Sequence, residues 1–380
     1  MTDGPTGIES VFVAGRGQGA DWSACLSAAL AEIGRLPDRA NIGFIYATDE
    51  LAKDWDDILV ALRSRTSVDN WLGTVGVGVA ASGWEAHDQP ALVLLIGRLP
   101  EEDFRVFGPL VDSLSDLETK HGAWLGDKHP TLALVHADPT NPHIADMIPA
   151  LSQVSGCFLV GGLTASRSPS QPQAAGGAVT GGLSGVFFGS RVLAATALSQ
   201  GCTALGDSHV ITAADQNVIE TLDGRPAYEV LRETVGELLM RDPRRLAGYI
   251  TVGFPISGSD TGDYLVRNLV GLDPNSGLVA VGEEVTVGQR VFFARRDPQS
   301  AVRDLCRMLE GIESRIEGVP KAGIYVSCSA RGPHLFGVNS EELKLVREVL
   351  GDFPLVGFYA GGEISNDRLY AYTGVLTLLL

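Results

Sequence analysis

The chain has 380 residues, 45% of them apolar and 20% charged, with 46 glycines and a formal net charge of −17. That length and apolar content supply a core for two domains or one two-lobed body, and they exclude a disordered chain or a small disulfide-stapled one. The acidic balance opposes binding to a phosphate backbone, so no nucleic-acid partner is expected, although a local basic pocket for a small anion stays open.

The first elements are a strand and a glycine-rich turn, VFVAGRGQGADW (11–22), running into a helix on which Trp22, Cys25, Leu26, Ala29, Leu30 and Ile33 share one face. The G-x-G-x-x-A spacing matches a dinucleotide phosphate loop, with Asp38 or Asp49 as a ribose acid. A glycine-rich turn between strand and helix explains it as well, and no second mononucleotide half follows. No cofactor is assigned.

Three series of segments then follow a common pattern. In the first, NIGFIYATD (41–49) reads as a buried strand. Leu51, Trp55, Ile58, Leu59 and Leu62 mark a helix, and LGTVGVGVAASG (72–83) and ALVLLIG (91–97) read as further strands. The second contains TLALVHADP (131–139), a helical run NPHIADMIPALSQV (141–154) weakened by Pro149, then FLVGGLTASR (158–167) and GLSGVFFG (182–189). His136, Asp138 and His143 form H-x-D-x4-H here, a conceivable ligand set. Asp138 before Pro139 and Asn141 before Pro142 also suit a turn and a helix start, so no metal is assigned. The Gly/Ser/Pro/Gln-rich stretch 166–182 is expected to be a mobile surface loop that buries little.

LDGRPAYEVLRETVGELL (222–239) reads as a turn at Asp223-Gly224 and a helix with Pro226 near its start, a natural junction between lobes. QSAVRDLCRMLEGIESRI (299–316) is a second secure helix, with Val302, Leu305, Met308, Leu309, Ile312 and Ile316 on one face. Cys25 and Cys306 lie on apolar helix faces and read as core packing. The third series is AGIYVSCSA (322–330), a helix over NSEELKLVREVLGD (339–352), PLVGFYAGGEIS (354–365) and TGVLTLLL (373–380). In that helix Leu343, Val346, Val349 and Leu350 share a face, Asn339 with Glu342 resembles a capping box, and Gly351 suits the stop. In each series the first strand and its Val-Gly partner lie about thirty residues apart. The expected fold is α/β (α+β) and two-lobed, built from repeated strand-helix-strand-strand units with mixed sheets.

Five cysteines (Cys25, Cys157, Cys202, Cys306 and Cys328), odd in number and never in a C-x-x-C pair, suggest neither a disulfide framework nor a zinc ribbon, which fits a reducing cytoplasm. MTDGPTGIES lacks the basic and apolar parts of a leader, and no apolar run reaches about 18 residues. A soluble, unexported protein with no membrane partner is expected.

Chemistry concentrates in CSARGPHLFG (328–337), where a probable strand ends in a thiol, a hydroxyl, a guanidinium and an imidazole. Gly332 lets backbone approach closely, Arg331 offers a planar fork for a carboxylate or phosphate, and His334 adds a titratable donor. On the neighbouring strand Tyr359, Gly361, Gly362 and Glu363 offer a ring, backbone and a carboxylate. Arg331 with Glu363 would suit a zwitterion; alternatively Arg331 pairs with Glu363 or another acid and pins a loop. The binding set is therefore Cys328, Ser329, Arg331, Gly332, His334, Tyr359, Gly361, Gly362 and Glu363. An enzyme reading instead makes Cys328 a nucleophile, favoured by Arg331, with His334 handling its proton.

These motifs, together with LVGGLTAS, TVGVGVAAS and VIETLDGRPAYEVL, resemble the FIST proteins, named for F-box and intracellular signal transduction, over about residues 38 to 380. The resemblance implies an N-terminal region over 1–225, with 1–40 a leading strand and helix, and a C-terminal region over 226–380. It implies a sensory module for a small ligand such as an amino acid, and it matches Cys328, Arg331, Gly332, Gly357, Gly362 and Glu363 to shared positions. No kinase, cyclase, methyl-accepting or F-box segment is left over, so signalling is expected through a separate partner or through self-association. A ligand-free interaction scaffold is the remaining alternative.

Overall fold

The structure, a computed structural model, describes residues 11–236, 246, 248–256 and 264–380. The chain divides into two compact units. One contains the described residues up to Ser199, Leu305–Leu369 and Thr373–Leu380; the other contains those of Gln200–Asp304 together with Tyr370–Tyr372. The fold is mixed α/β, as the alternation of strand and helix patterns predicts.

In the first unit one arrangement occurs three times. Its centre is a parallel pair: β2 (Ile42–Thr48) with β3 (Asn70–Gly76), β8 (Leu132–Ala137) with β9 (Phe158–Leu163), and β21 (Ala322–Cys328) with β22 (Leu355–Ala360). The connecting helices are α2 (Trp55–Thr66), α4 (Ile144–Ser155) and α8 (Glu341–Leu350). Antiparallel to the first strand of each pair runs β6 (Ala91–Arg98), β12 (Leu183–Phe188) or β25 (Gly374–Leu379). Outside that lies a leading strand, β1 (Val11–Gln18), β7 (Phe104–Leu110) or β13 (Ala194–Ser199). A helix follows the first two of these, α1 (Trp22–Ile33) and α3 (Ser115–Lys128).

Each segment also carries a hairpin, and none keeps it. β4 (Gly78–Ala81) and β5 (Trp84–His87) extend the sheet of β22; β10 (Gln173–Ala175) and β11 (Gly177–Val179) extend that of β3; β23 (Glu363–Ser365) and β24 (Arg368–Tyr370) extend that of β9. The exchange closes on itself, and three backbone bonds trace the same circuit: Val77 N to Tyr359 O (3.3 Å), Gly361 N to Leu163 O (3.2 Å) and Ala165 N to Val75 O (3.2 Å). The Val-Gly motifs are tight places in this circuit. Gly73, Gly161 and Gly357 occupy matching registers opposite Ile45, Val135 and Tyr325. A Cβ there would lie 1.7, 1.9 and 1.8 Å from those residues' carbonyl oxygens, so no side chain fits.

The three sheets share one apolar core on their inner faces, with Tyr46, Leu72, Leu134, Val160, Val326 and Phe358 among its members. Helices cover the outer faces in separate clusters, for example Ile58 and Leu62 on the first sheet and Met147 and Leu151 on the second. Leu305, Met308, Leu309 and Ile312 of α6 (Pro298–Glu313) do so on the third.

In the second unit β14 (Cys202–Asp215), β20 (Arg290–Arg296), β17 (Ile250–Pro255), β18 (Tyr264–Asp273), β19 (Leu278–Val281) and β15 (Val218–Leu222) follow one another antiparallel, with β16 (Arg225–Pro226) beside β15. β14 also pairs with β15, so the sheet closes on itself as a barrel. Val230 and Leu231 of α5 (Ala227–Val235) join its core. Asp223 (φ 51°) and Gly224 (φ 78°) make the expected turn before α5; residues 237–239 of the predicted helix lie outside the described residues.

Several local expectations change. The glycine-rich turn at 15–19 belongs to an antiparallel β1–β6 pairing, and a Cβ on Gly17 would lie 1.8 Å from Cys25 O. Glycine there lets α1 lie against its strand. The stretch 166–182 is not simply a mobile loop, because β10 and β11 lie within it and Gln171, Gln173 and Ala174 are buried. Its partner strand β3 lies far away in sequence, which local composition cannot reveal. Pro149 does not stop α4, which loses one backbone donor there and runs on to Gly156. The capping box does not form: Ser340 is the N-cap residue of α8, but its hydroxyl accepts from Glu85 N and not from the helix, and Glu342 turns inward.

Candidate functional site

β21 ends at Cys328, and the chain turns back with Arg331 N bonded to Cys328 O at 2.8 Å. That turn places Arg331 entirely inside the protein, at 0% exposure. Its acidic partner is Glu342 on α8: Arg331 Nε lies 2.8 Å from Glu342 Oε1, and Gly332 N donates to Oε2 at 2.9 Å. Tyr325 Oη (2.7 Å) and Ser327 Oγ (3.1 Å) also donate to Oε1. The guanidinium donates to Ser199 O at 3.3 Å and stacks on Phe336 at 4.9 Å. Burial opposes its charge, but the Glu342 carboxylate and the Tyr325 hydroxyl hold it above its ordinary value. Such a pair is expensive to desolvate, and removing one partner alone leaves an uncompensated buried charge.

Glu363 therefore does not receive Arg331 in an ion pair. Fully buried, it accepts from Thr373 N (3.1 Å) and Thr373 Oγ1 (2.7 Å) on Oε2, while Oε1 has no N–H or O–H donor among the described residues. Burial lifts its carboxyl to about 8, against the Thr373 bonds, the Arg331 charge and the Cys328 thiol. Burial thus favours its neutral form. Tyr359 packs on Gly332 (φ 55°), where a Cβ would come within 2.8 Å of the ring. Its hydroxyl donates to Glu85 on β5, and Glu85 lies 3.2 Å from His87 Nε2.

The predicted set thus splits. Arg331, Gly332, Tyr359, Gly362 and Glu363 are buried together with Cys328, which is 6% exposed; Ser329, His334 and Gly361 face outward. His334, on α7 (Pro333–Phe336), is exposed, whereas the titratable neighbour of the Cys328 thiol is Glu363. The other candidate set disperses as well. His136 is buried against Tyr46 Oη at 3.2 Å and pushed down to about 3 by burial; Asp138 accepts from Thr140 N and Gly181 N; His143 is exposed. Among the described residues no three side chains are grouped to hold a metal ion.

A cleft of about 420 Å³ opens at the start of β22, the end away from Cys328 and Ala360, lined by Arg16, Glu32, Ser82, Arg347 and Asp352 together with Leu355. A smaller pocket of about 250 Å³ shares Arg16 and Glu32 and reaches Trp84. Arg16 pairs with Glu32 (3.3 Å) and stacks on Trp84 (5.3 Å), and Ser82 Oγ donates to Asp352 Oδ1 (2.8 Å). The Arg347 guanidinium has no ion-pair or hydrogen-bond partner among the described residues, while its carbonyl accepts from Gly351 N. It lies along the β4–β5 turn, where a Cβ on Gly83 (φ 63°) would meet Nη1 at 2.8 Å. Sequence reasoning missed this cleft, because its residues come from four separate segments. The only local signal was Arg347 on the polar side of a helix.

Cleft and buried cluster share their supports. α8 carries Glu342 inside and Arg347 in the cleft, and β5 carries Trp84 toward the pocket and Glu85 toward Tyr359.

Family models match this chain as a FIST N domain over residues 41–225 and a FIST C domain over 227–366. The chain belongs to the FIST family. An uncharacterized protein of Mycobacterium tuberculosis is 29% identical over 342 residues, 85% of this chain and 87% of its own. One of Mycobacterium bovis is 29% identical over 373 residues, 88% of this chain and 93% of its own. FIST domains are sensory signal-transduction domains associated with small ligands. In this FIST chain the meeting point of the two regions, near residue 226, lies within the second compact unit. No described helix is long and apolar enough to cross a membrane.

Proposed function

We propose that this FIST chain is a cytoplasmic sensor that holds a small zwitterion of the amino-acid class in the cleft between β1, the β4–β5 turn and α8. One observation carries the reading: Arg347 offers an unmatched guanidinium facing the carboxylates Glu32 and Asp352 across a cleft of about 420 Å³. A ligand carboxylate would take the planar fork of Arg347, and its ammonium would lie toward Glu32 and Asp352. The volume falls in the ordinary range for small-molecule pockets.

In this proposal the buried residues of the strand-end set, Cys328, Arg331, Gly332, Tyr359, Gly362 and Glu363, do not touch the ligand and are connected to the cleft through α8 and β5. A ligand bridging α8 and the hairpin would favour one position of both, and Glu342 and Glu85 would pass that preference to the cluster. Ser329, His334 and Gly361 face outward there, and they would present the change to a separate signalling protein or a second copy.

Calorimetry of the free amino acids against wild type and Arg347→Gln tests the reading. At least one amino acid should bind, about tenfold to a hundredfold more weakly to the variant. Equal binding would place the site elsewhere, and no binding by any amino acid would remove the ligand class. The nucleophile reading has a separate check: limited iodoacetamide on native protein should leave Cys328 unmodified, given its burial.

A further inference from the structure

Three parts of the first series enclose the cleft: the leading strand β1, the helix α1 that follows it, and Ala81 at the end of the series' own β4 strand. The same three parts of the second series, β7, α3 and Ala175, enclose a pocket of about 190 Å³ lined also by Phe107, Asp116, Lys120 and His121. The fold makes a notch at this place twice. The two differ in size and in chemistry.

Where the first notch carries both signs, the lining of the second carries one carboxylate and one ammonium, paired with each other, and an imidazole. The charged groups that face it are Asp116 and Lys120 on α3 and, beside it on β7, Arg105, whose guanidinium lies over the Trp124 ring at 5.7 Å. The hairpin contributes the uncharged Ala175. Asp116 is matched by Lys120 at 2.8 Å, which leaves the Arg105 guanidinium without an acidic partner among the described residues. His121 Nδ1 is buried with no partner among the described residues. A buried unsatisfied nitrogen in a native fold calls for a specific reason, and a missing acceptor is one.

We infer that this notch is a binding site for a small free oxyanion of the sulfate or phosphate type. The pocket is below the usual size for a metabolite and large enough for a tetrahedral ion with some of its water. An ion there would accept from His121 Nδ1 and from Lys120, while Arg105 adds long-range attraction. Burial, then Arg105 and Lys120, hold the His121 imidazole below its ordinary value. An anion reverses the balance, so binding and protonation of His121 should strengthen one another.

The test uses the full chain, sodium sulfate as probe, chloride at matched ionic strength as control, and NMR of the histidine rings across pH. His121 should shift saturably with sulfate and its apparent pKa should rise by about one unit, while the exposed His143 and His334 stay unmoved. Lys120→Gln, at an exposed position, should weaken sulfate binding several-fold with the fold intact. Identical His121 titrations in sulfate and chloride would overturn the proposal. So would a shift no larger than that of His143, or a Lys120→Gln protein that binds sulfate as wild type does.

Discussion

The second and third series solve one structural problem with different chemistry. Gln173 and Glu363 begin the exchanged hairpins at matching registers, since their next residues, Ala174 and Ile364, face Gly73 and Gly161. Both are fully buried, and both bond the residue just before the third strand of their series, Gly182 and Thr373. The amide of Gln173 donates to Gly182 O and accepts from Ser184 Oγ, so both its ends are satisfied. Glu363 can resemble it only when protonated. The same contrast separates Asn141, which ties the strand-end turn to Val111 O, from Arg331, which ties it to Ser199 O. The architecture at these places needs hydrogen bonds and not charge. The charges of the third series are therefore surplus to the fold, and they sit beside the elements that line the cleft.

Arg331→Ala should break this contrast most severely. It leaves Glu342 buried without its cation, and urea unfolding should show a loss of about 3–5 kcal/mol. A loss under about 1 kcal/mol would mean that the pair is not buried in solution. Glu363→Gln imports the solution of the second series. The folded carboxyl is held up to about 8, so the wild type binds this proton more tightly when folded than when unfolded. Its stabilising effect is complete below the ordinary carboxylate range and disappears as pH rises toward 8. Relative to wild type, the variant should be unchanged near pH 4 and more stable above pH 8 by on the order of 4 kcal/mol. A difference independent of pH would show that Glu363 is ionised throughout. The smallest effect is expected for Ser184→Ala, which deprives Gln173 of one donor and should cost about 1 kcal/mol by the same measurement.

Much of this fold was legible in short apolar runs. AGIYVSC and FLVGGL are strands because period and flanking glycines say so, and the Val-Gly pairs mark where carbonyls leave no room. The failures share a cause. Glu342 follows Asn339 at cap spacing, so local chemistry assigns it to the helix start; only the arrival of Arg331 and Tyr325 turns it inward. Gln173 sits in a polar stretch that ought to be solvated, yet Ser184 and Gly182 satisfy its amide inside the core. The Arg331 fork was recognised as an anion holder, but its acid lies eleven residues ahead and not on the adjacent strand. Arg16, Glu32, Ser82 and Arg347 meet only because the hairpin leaves its own sheet.

The circuit of exchanged hairpins also sets a timetable for synthesis. β4 pairs with β22, Ala80 opposite Gly357, so the first hairpin emerges long before its partner strand exists. At about 5–20 residues per second the ribosome needs tens of seconds to supply it. Throughout that interval an apolar strand edge stays open, a template for pairing with another nascent chain. The sheets cannot mature one after another. This protein is committed to finishing its core only when the last strands leave the ribosome.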